Sequence, residues 1–334
     1  MRRDASFALV GDVGGTNARF AVADLQGARP SIVLTGAVLC KDHESLAAAA
    51  DAFLASAGLA ALPATATIAV AGPVADGAAR LTNAPWDASE AELMELGFAR
   101  ARLVNDFEAL ATGVADLAPE DSVAIGPPVE GLTRAPVVIA GAGTGFGLAV
   151  LVWRAEGPAQ VLATEGGHAA FAPTDELEIE VLRALARRHG RVSIERLLSG
   201  PGLQALHAVL AQIEGSARPQ DLSSEEVVAR ACAGVDPQCV AAVELFCAVF
   251  GSVCGDAALT LGARGGVFLA GGLMQGVERF LTSGAFRARF EAKGRLSGFV
   301  EALPTRLVVQ PHVALLGAAR TARRLSPQAF QMSD

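Results

Sequence analysis

The chain reads as an α/β protein of two domains, built by duplication, with its two halves facing one cleft. Three observations predict this. Its 334 residues exceed an ordinary single domain and divide naturally into two. Apolar strands alternate with helical segments along the length, the pattern of sheets covered by helices. A strand, glycine turn and second strand occur twice, around Thr16 and around Thr144, as a weak internal repeat.

The elements follow in chain order. Phe7 to Asp12 and Ala18 to Leu25 form two apolar strands joined through Gly14 and Gly15. The turn Gly27 to Pro30 leads to a third strand, Ser31 to Cys40. His43 to Ala57 is alanine-rich and helical, and Gly58 stops it. Thr67 to Ala71 is a buried strand ended by Gly72 and Pro73. Ser89-Glu90-Ala91-Glu92 has capping-box spacing and opens a short helix that Gly97 ends. Arg102 to Asn105 is a strand with Asp106 just past its C-terminal end, and Val137 to Ala140 and Gly147 to Trp153 flank the second glycine turn. The second half is richer in helix: Asp175 to His189, Ile194 to Leu198 and Pro237 to Val253 carry helical periodicity. Gly266 to Ala270 is one more buried strand, and a last helix lies within Pro311 to Leu325. The Gly-, Pro- and Asp-rich stretch 112–120 is the natural boundary.

Composition excludes several functions. Net charge is −8 with both signs interspersed, which argues against nucleic acid or an anionic membrane as a partner. The longest apolar stretch, Leu245 to Gly255, is too short to span a bilayer. The N-terminal Met-Arg-Arg-Asp leads into an apolar run cut by Asp12, unlike a signal peptide, so a cytoplasmic location is expected. Cys232, Cys239, Cys247 and Cys254, spaced seven, eight and seven apart, are expected near one face of a helix. With Cys40 they read as small buried hydrophobes rather than a disulfide framework. Lysine occurs only at Lys41 and Lys293, neither after a glycine, so there is no Walker A loop. Tyrosine is absent, which excludes a tyrosine acid or base.

The two turns carry the most chemistry. The first runs Gly11-Asp12-Val13-Gly14-Gly15-Thr16-Asn17-Ala18-Arg19, the second Gly141-Ala142-Gly143-Thr144-Gly145. Glycines permit positive φ and let peptide N–H groups converge on an anion, and a threonine hydroxyl adds a donor. Two such turns suit a polyphosphate, with the Asp12 carboxylate holding Mg²⁺ directly or through water. A dinucleotide fold needs a helix after its glycine turn, whereas Arg19-Phe20-Ala21-Val22 continues as a strand.

Four further segments each admit two readings. Asp106, beside Asn105, either faces a ligand crevice at a strand end or caps the helix starting at Phe107. Glu165-Gly166-Gly167-His168 is a loop that recognises a hydroxylated ligand, ligates a metal or has no role. Glu195 either binds a ligand or sits in the first turn of a helix capped by Ser193, where the macrodipole favours it. Gly271 and Gly272 either admit something flat or pack strand against helix.

Taken together, in order and over nearly the whole length, these segments resemble the bacterial glucokinases of the hexokinase–actin superfamily. The motifs are Gly-Asp-Val-Gly-Gly-Thr-Asn-Ala-Arg, Asn105-Asp106, Gly-Ala-Gly-Thr-Gly, Glu-Gly-Gly-His, Leu-Ser-Gly-Pro-Gly and Ala-Gly-Gly. The resemblance implies an actin-like ATPase (ribonuclease H-like) duplicated fold. Residues 1–115 and 310–334 would form a smaller domain, and 116–309 a larger one. It implies ATP-dependent phosphorylation of D-glucose on its 6-hydroxyl, with Asp106 as catalytic base. Asn105, Asp106, Glu165, His168 and Glu195 would bind the sugar. Gly11, Asp12, Val13, Gly14, Gly15 and Thr16 would form the first phosphate loop, and Gly141, Gly143, Thr144 and Gly145 the second. Gly271 and Gly272 would belong to the adenosine site, Mg²⁺ would arrive with ATP, and the chain would be a homodimer. The Cys-Gly-x-x-Gly-Cys zinc motif of the related sugar-kinase and repressor group is absent, so the resemblance is to the zinc-free branch. A kinase of another hexose or amino sugar would differ only in its sugar ligands. A sugar sensor would bind without turnover, and an actin-like scaffold would lack the sugar ligands altogether.

Two domains closing over a sugar would exclude water and complete the site only when sugar is present. ATP hydrolysis without sugar is therefore expected to be slow; a phosphate-release assay giving one rate with and without glucose would contradict closure.

Overall fold

The computed structural model describes residues 3–81, 86–157, 159–215 and 221–326. The chain forms two compact units, Met1–Leu117 with Gln310–Asp334, and Ala118–Val309.

The first unit is built on strands β1 (Arg3–Val13), β2 (Asn17–Asp24), β3 (Ser31–Leu39), β4 (Leu62–Val70) and β5 (Arg100–Asn105). Their order is β3-β2-β1-β4-β5. The first three pair antiparallel, and β1, β4 and β5 run parallel. Successive side chains of a strand point to opposite faces. Leu9, Phe20, Val22 and Ile68 thus pack on Phe53 of the helix Leu46–Ala57. Ala8, Val10, Ala21 and Ala23 pack on Leu315, Ala318, Ala319 and Ala322 of the helix Val313–Leu325. Burial on both faces is why β1 shows an apolar run rather than alternation. The helix Asp106–Val114 lies against the same C-terminal helix, backbone to backbone: Gly317 meets the Ala109 carbonyl, and Gly113 meets that of Val313.

The second unit repeats the plan. Its strands are β6 (Ser122–Ala124), β7 (Val137–Ala142), β8 (Phe146–Val152), β9 (Gln160–Thr164), β10 (Gly266–Ala270) and β11 (Thr305–Val308). In the order β9-β8-β7-β10-β11-β6, an antiparallel meander is again followed by two parallel strands, with β6 added antiparallel at the edge. This is the duplicated α/β architecture that the sequence predicts. The core is organised by the helix Pro237–Leu261. Its Phe250 meets Phe146 edge-on at 5.5 Å between ring centroids and Phe286 at 6.2 Å. Such aromatic pairs add about 0.5–1.5 kcal/mol beyond burial.

Several expectations change at the level of single elements. The first helix begins at Leu46 rather than His43, because Ser45 caps it by accepting the Ala48 N–H and Cys40–Asp42 forms a separate 3-10 turn. Ile194–Arg196 is a single 3-10 turn. The four clustered cysteines do not share one helix. Gly234, at φ +66°, ends the helix Ser224–Ala233 carrying Cys232, and Asp236 caps the next, which carries Cys239, Cys247 and Cys254. Those three are buried, their thiols are free, and burial pushes the Cys239 thiol up to about 11. By length and composition the helix Pro237–Leu261 could cross a membrane, since it runs well beyond the apolar stretch seen in sequence; most of it is buried in the core instead.

A Cβ at position 317 would overlap the Ala109 carbonyl, so Gly317→Ala should cost about 1–3 kcal/mol by overpacking. Gly298→Ala meets nothing within 4 Å and should be neutral or slightly stabilising. Denaturant unfolding of the two variants checks this, and equal midpoints would contradict the helix contact.

Candidate functional site

In the first unit the expected residues gather at one sheet edge. In register, Val13 of β1 pairs with Val70 of β4, which pairs with Asn105 of β5. The Gly14-Gly15-Thr16 turn and Asp106 therefore both emerge at the C-terminal ends of these parallel strands. The turn is closed by Gly14 N–H donating to the Asn17 carbonyl at 3.0 Å. Cys40 holds it from behind: its N–H donates to the Thr16 carbonyl at 2.9 Å and its thiol to that of Gly14 at 3.5 Å. Trp86 Nε1–H fixes the Cys40 carbonyl in turn at 3.1 Å. The N–H groups of Gly15 and Thr16 make no hydrogen bond to the described residues. Asp12 lies opposite Arg19 in the hairpin. Burial pushes its carboxyl above the usual carboxylate range, and the Arg19 guanidinium opposes part of that rise.

Asn105, not Asp106, is the cap of the following helix. Its Oδ1 accepts the N–H groups of Phe107 and Glu108 at 2.9 and 3.2 Å, and its Nδ2 donates to the Gly72 carbonyl at 3.1 Å. The N-cap reading of Asp106 is thus replaced. Asp106 is the first helical residue, half-buried, with Oδ1 accepting the Phe107 N–H at 2.9 Å. A consequence falls on Asn105: its oxygen is already committed to the backbone, so toward a sugar it can act only as a donor, through its remaining amide hydrogen.

The second unit brings Glu165, His168, Glu195 and the other glycine turn to one sheet edge. Gly143 N–H closes that turn on the Gly145 carbonyl at 2.9 Å. The N–H groups of Thr144 and Gly145 make no hydrogen bond to the described residues, as in the first turn. Gly166–His168 forms a 3-10 turn after β9, with Glu165 at its N-cap, rather than an open loop. Gly167 packs on the Phe146 carbonyl, a spot no side chain would fit. Glu165 and His168 are exposed, 3.9 Å apart, and Arg191 holds the His168 carbonyl at 2.6 Å. Ile194 N–H bonds the Ala169 carbonyl at 2.9 Å, which joins this turn to the one bearing Glu195.

The macrodipole reading of Glu195 is replaced. Ser193 makes no side-chain cap, and a three-residue 3-10 turn has little dipole to offset. Glu195 Oε2 instead accepts the Phe146 N–H at 2.9 Å. A Cβ on Gly145 would lie 2.6 Å from that oxygen. Gly271, at φ +102°, sits beside the same turn, where a Cβ would be 2.8 Å from the Ala142 carbonyl, and Gly272 opens onto free space. The close approach is therefore to a neighbouring strand end, not to a helix. The metal reading of Glu165 and His168 gains no third donor. Among the described residues the three-donor grouping is His207, Asp236 and Cys239, where the Asp236 carboxylate already caps a helix. Sequence reasoning missed Cys40, Arg191 and Ser199 as braces. They act through backbone atoms, and only the Leu-Ser-Gly-Pro-Gly motif gave a visible signal.

The family model described as Glucokinase matches residues 9–325. A glucokinase of Caulobacter sp. strain K31 is 49% identical over 312 residues, covering 93% of each chain. The crystal structure of a glucokinase from an Antarctic psychrotroph matches with a TM-score of 0.84 at 33% identity, over 96% of this chain and 99% of that one. A ROK family glucokinase from Streptomyces griseus, solved with glucose and AMPPNP, matches in fold with a TM-score of 0.65 at 19% identity, over 95% and 99%.

A carboxyl whose pKa is raised by folding favours the native state below the unfolded value, near 3.9, and loses that contribution as pH rises through the folded value. Asp12→Asn removes the loss. The ligand-free variant should be more stable than the parent at about pH 7, with the gain shrinking as pH falls toward about 4. Thermal melts across that range check it; a variant less stable at neutral pH would contradict the burial argument.

Proposed function

The chain belongs to the glucokinase family, and we propose that it transfers the γ-phosphoryl of ATP to the 6-hydroxyl of glucose with Asp106 as the base. The observation that carries this reading is the identity of 49% over 93% of a glucokinase, together with Asp106 at the head of a helix that another residue caps. ATP use and glucose as substrate follow from the family, and a ROK family glucokinase that shares the fold was solved with glucose and AMPPNP.

Asp106 accepts the proton of the sugar's primary hydroxyl as that oxygen attacks phosphorus. A carboxylate is a weak base at neutral pH, which suits a loose transition state in which little proton transfer precedes P–O cleavage. Most of the acceleration then comes from alignment and from donors aimed at developing charge. The unengaged N–H groups of Gly15, Thr16, Thr144 and Gly145 are suited to phosphate oxygens. Asp12 fits the Mg²⁺ that accompanies ATP: it is a hard oxygen donor, desolvated, and short of positive charge beyond Arg19. When bound, the ion would neutralise part of the triphosphate charge.

Glu165 and Glu195 accept from sugar hydroxyls, His168 donates or accepts, and Asn105 donates. At the adenosine site, Gly271 fits its strand end against the second turn and Gly272 leaves room for the flat adenine base. We extend the reading to a cytoplasmic homodimer, which rests on family resemblance.

Asp106→Asn should bind glucose normally and lose about 10²–10⁴-fold in kcat, the usual worth of a general base. Near-normal turnover would remove Asp106 from the role. Hydrogen-bonding groups that a bound sugar covers from water penalise a missing hydroxyl far more strongly than an extra methylene. A coupled assay of deoxyglucoses should therefore show poor substrates at the contacted positions; if all matched glucose, the four ligand assignments would fail.

A further inference from the structure

The Leu-Ser-Gly-Pro-Gly motif contacts neither substrate in the reading above, yet it is tied to both sites. Gly200 N–H donates to the Gly143 carbonyl at 2.7 Å, which grips one side of the phosphate turn. Glu195 Oε2 accepts the Phe146 N–H at 2.9 Å, which grips the other. Ser199 joins the two grips: its hydroxyl donates to the Glu195 carbonyl at 2.8 Å and accepts the Gly202 N–H at 3.0 Å. Ser199 is 3% exposed, so this link is sheltered from water. Gly202 packs on the Leu197 backbone, which holds the piece compact. Gly145 completes the fit, since any side chain there would displace the Glu195 carboxylate.

We propose that residues 195–202 form a bracket that couples sugar binding to the second phosphate turn, with the Glu195 carboxylate as the shared part. The proposal rests on Glu195 being a sugar ligand. Its Oε1 makes no hydrogen bond to the described residues, which leaves that oxygen for a sugar hydroxyl. A hydroxyl donating to Oε1 fixes the carboxylate plane. The plane fixes Oε2, and Oε2 fixes the Phe146 peptide that follows Thr144 and Gly145. The carbonyl on which Gly167 packs belongs to the next peptide, on the far side of the Phe146 Cα, so the Glu165–His168 turn bears on the same residue. The N–H groups offered to phosphate thus become better ordered when sugar is present. Ser199 acts as a positioning residue, touching neither substrate.

Coupling between two ligands is reciprocal: each must tighten the other by one factor, commonly about 5–150-fold. Calorimetric titration of the full chain with Mg²⁺-AMPPNP, with and without saturating glucose, reads that factor directly, and glucose alone gives the reverse leg. The expected result is at least about fivefold tightening in the parent protein. Glu195→Ala and Ser199→Ala should each bring the factor close to one. Glu195→Gln keeps an oxygen that can accept the Phe146 N–H, and its amide NH2 can donate to the oxygen of the same hydroxyl, so it should retain much of the coupling, a rescue that general loss of packing would not give. If Ser199→Ala fails to fold, Gly145→Ala, which pushes on Oε2 itself, replaces it. An unchanged factor in Glu195→Ala and in the positioning variant overturns the bracket, as does a parent protein with no coupling. Should Glu195→Ala bind glucose as the parent does, the sugar-ligand assignment fails instead, and the two failures are told apart by the glucose-only titration.

Discussion

One amide side chain decides which carboxylate heads the helix after β5. Asn105 gives its oxygen to two helix N–H groups and its nitrogen to the Gly72 carbonyl. It therefore satisfies the helix start and pins that start to the end of β4 at once. Asp106 is left as the first helical residue, where the positive end of the helix favours a carboxylate. The cap is worth only about 1 kcal/mol in stability. Its larger effect is on position, because a misplacement of about 1 Å can cost 10²-fold in rate. The register Val13, Val70, Asn105 then sets that carboxylate on the same sheet edge as the first phosphate turn.

The second unit solves a similar problem with a different device. Its phosphate turn follows β7 and is held by groups from two separate turns that meet at Phe146, one on its N–H and one on its carbonyl. The Phe146 ring is anchored on Phe250 of the core helix, so the peptide that carries the turn is fixed by the hydrophobic core on one side and by a carboxylate on the other. Glycines at 145 and 167 are required by these close approaches rather than by unusual backbone angles: neither has a positive φ.

The fold was legible where physics is local. Apolar runs gave the strands of both hairpins, and the repeated glycine turn gave the duplication, because turn chemistry and strand pairing are set by neighbours in sequence. What sequence hid was decided at longer range. Helix starts depend on which side chain captures the orphan N–H groups, and Asn105 and Asp106 are equally qualified on paper. The Glu195 segment looks helical by periodicity, yet its carboxylate is recruited by a backbone N–H 49 residues away. The cysteine spacing of seven and eight is periodic across a Gly234 that breaks the helix. Cys40 looked like an ordinary buried thiol, and its thiol's hydrogen bond to the first turn spans 26 residues.

The central claim is that the Asp106 carboxylate, placed by its neighbour's cap, takes the proton of the sugar's primary alcohol. A crystal structure with glucose and AMPPNP bound tests it most directly. The account requires an Asp106 oxygen within hydrogen-bond reach, about 2.6–3.2 Å, of O6. A complex in which that carboxylate turns away from O6 and another group takes the contact would contradict it.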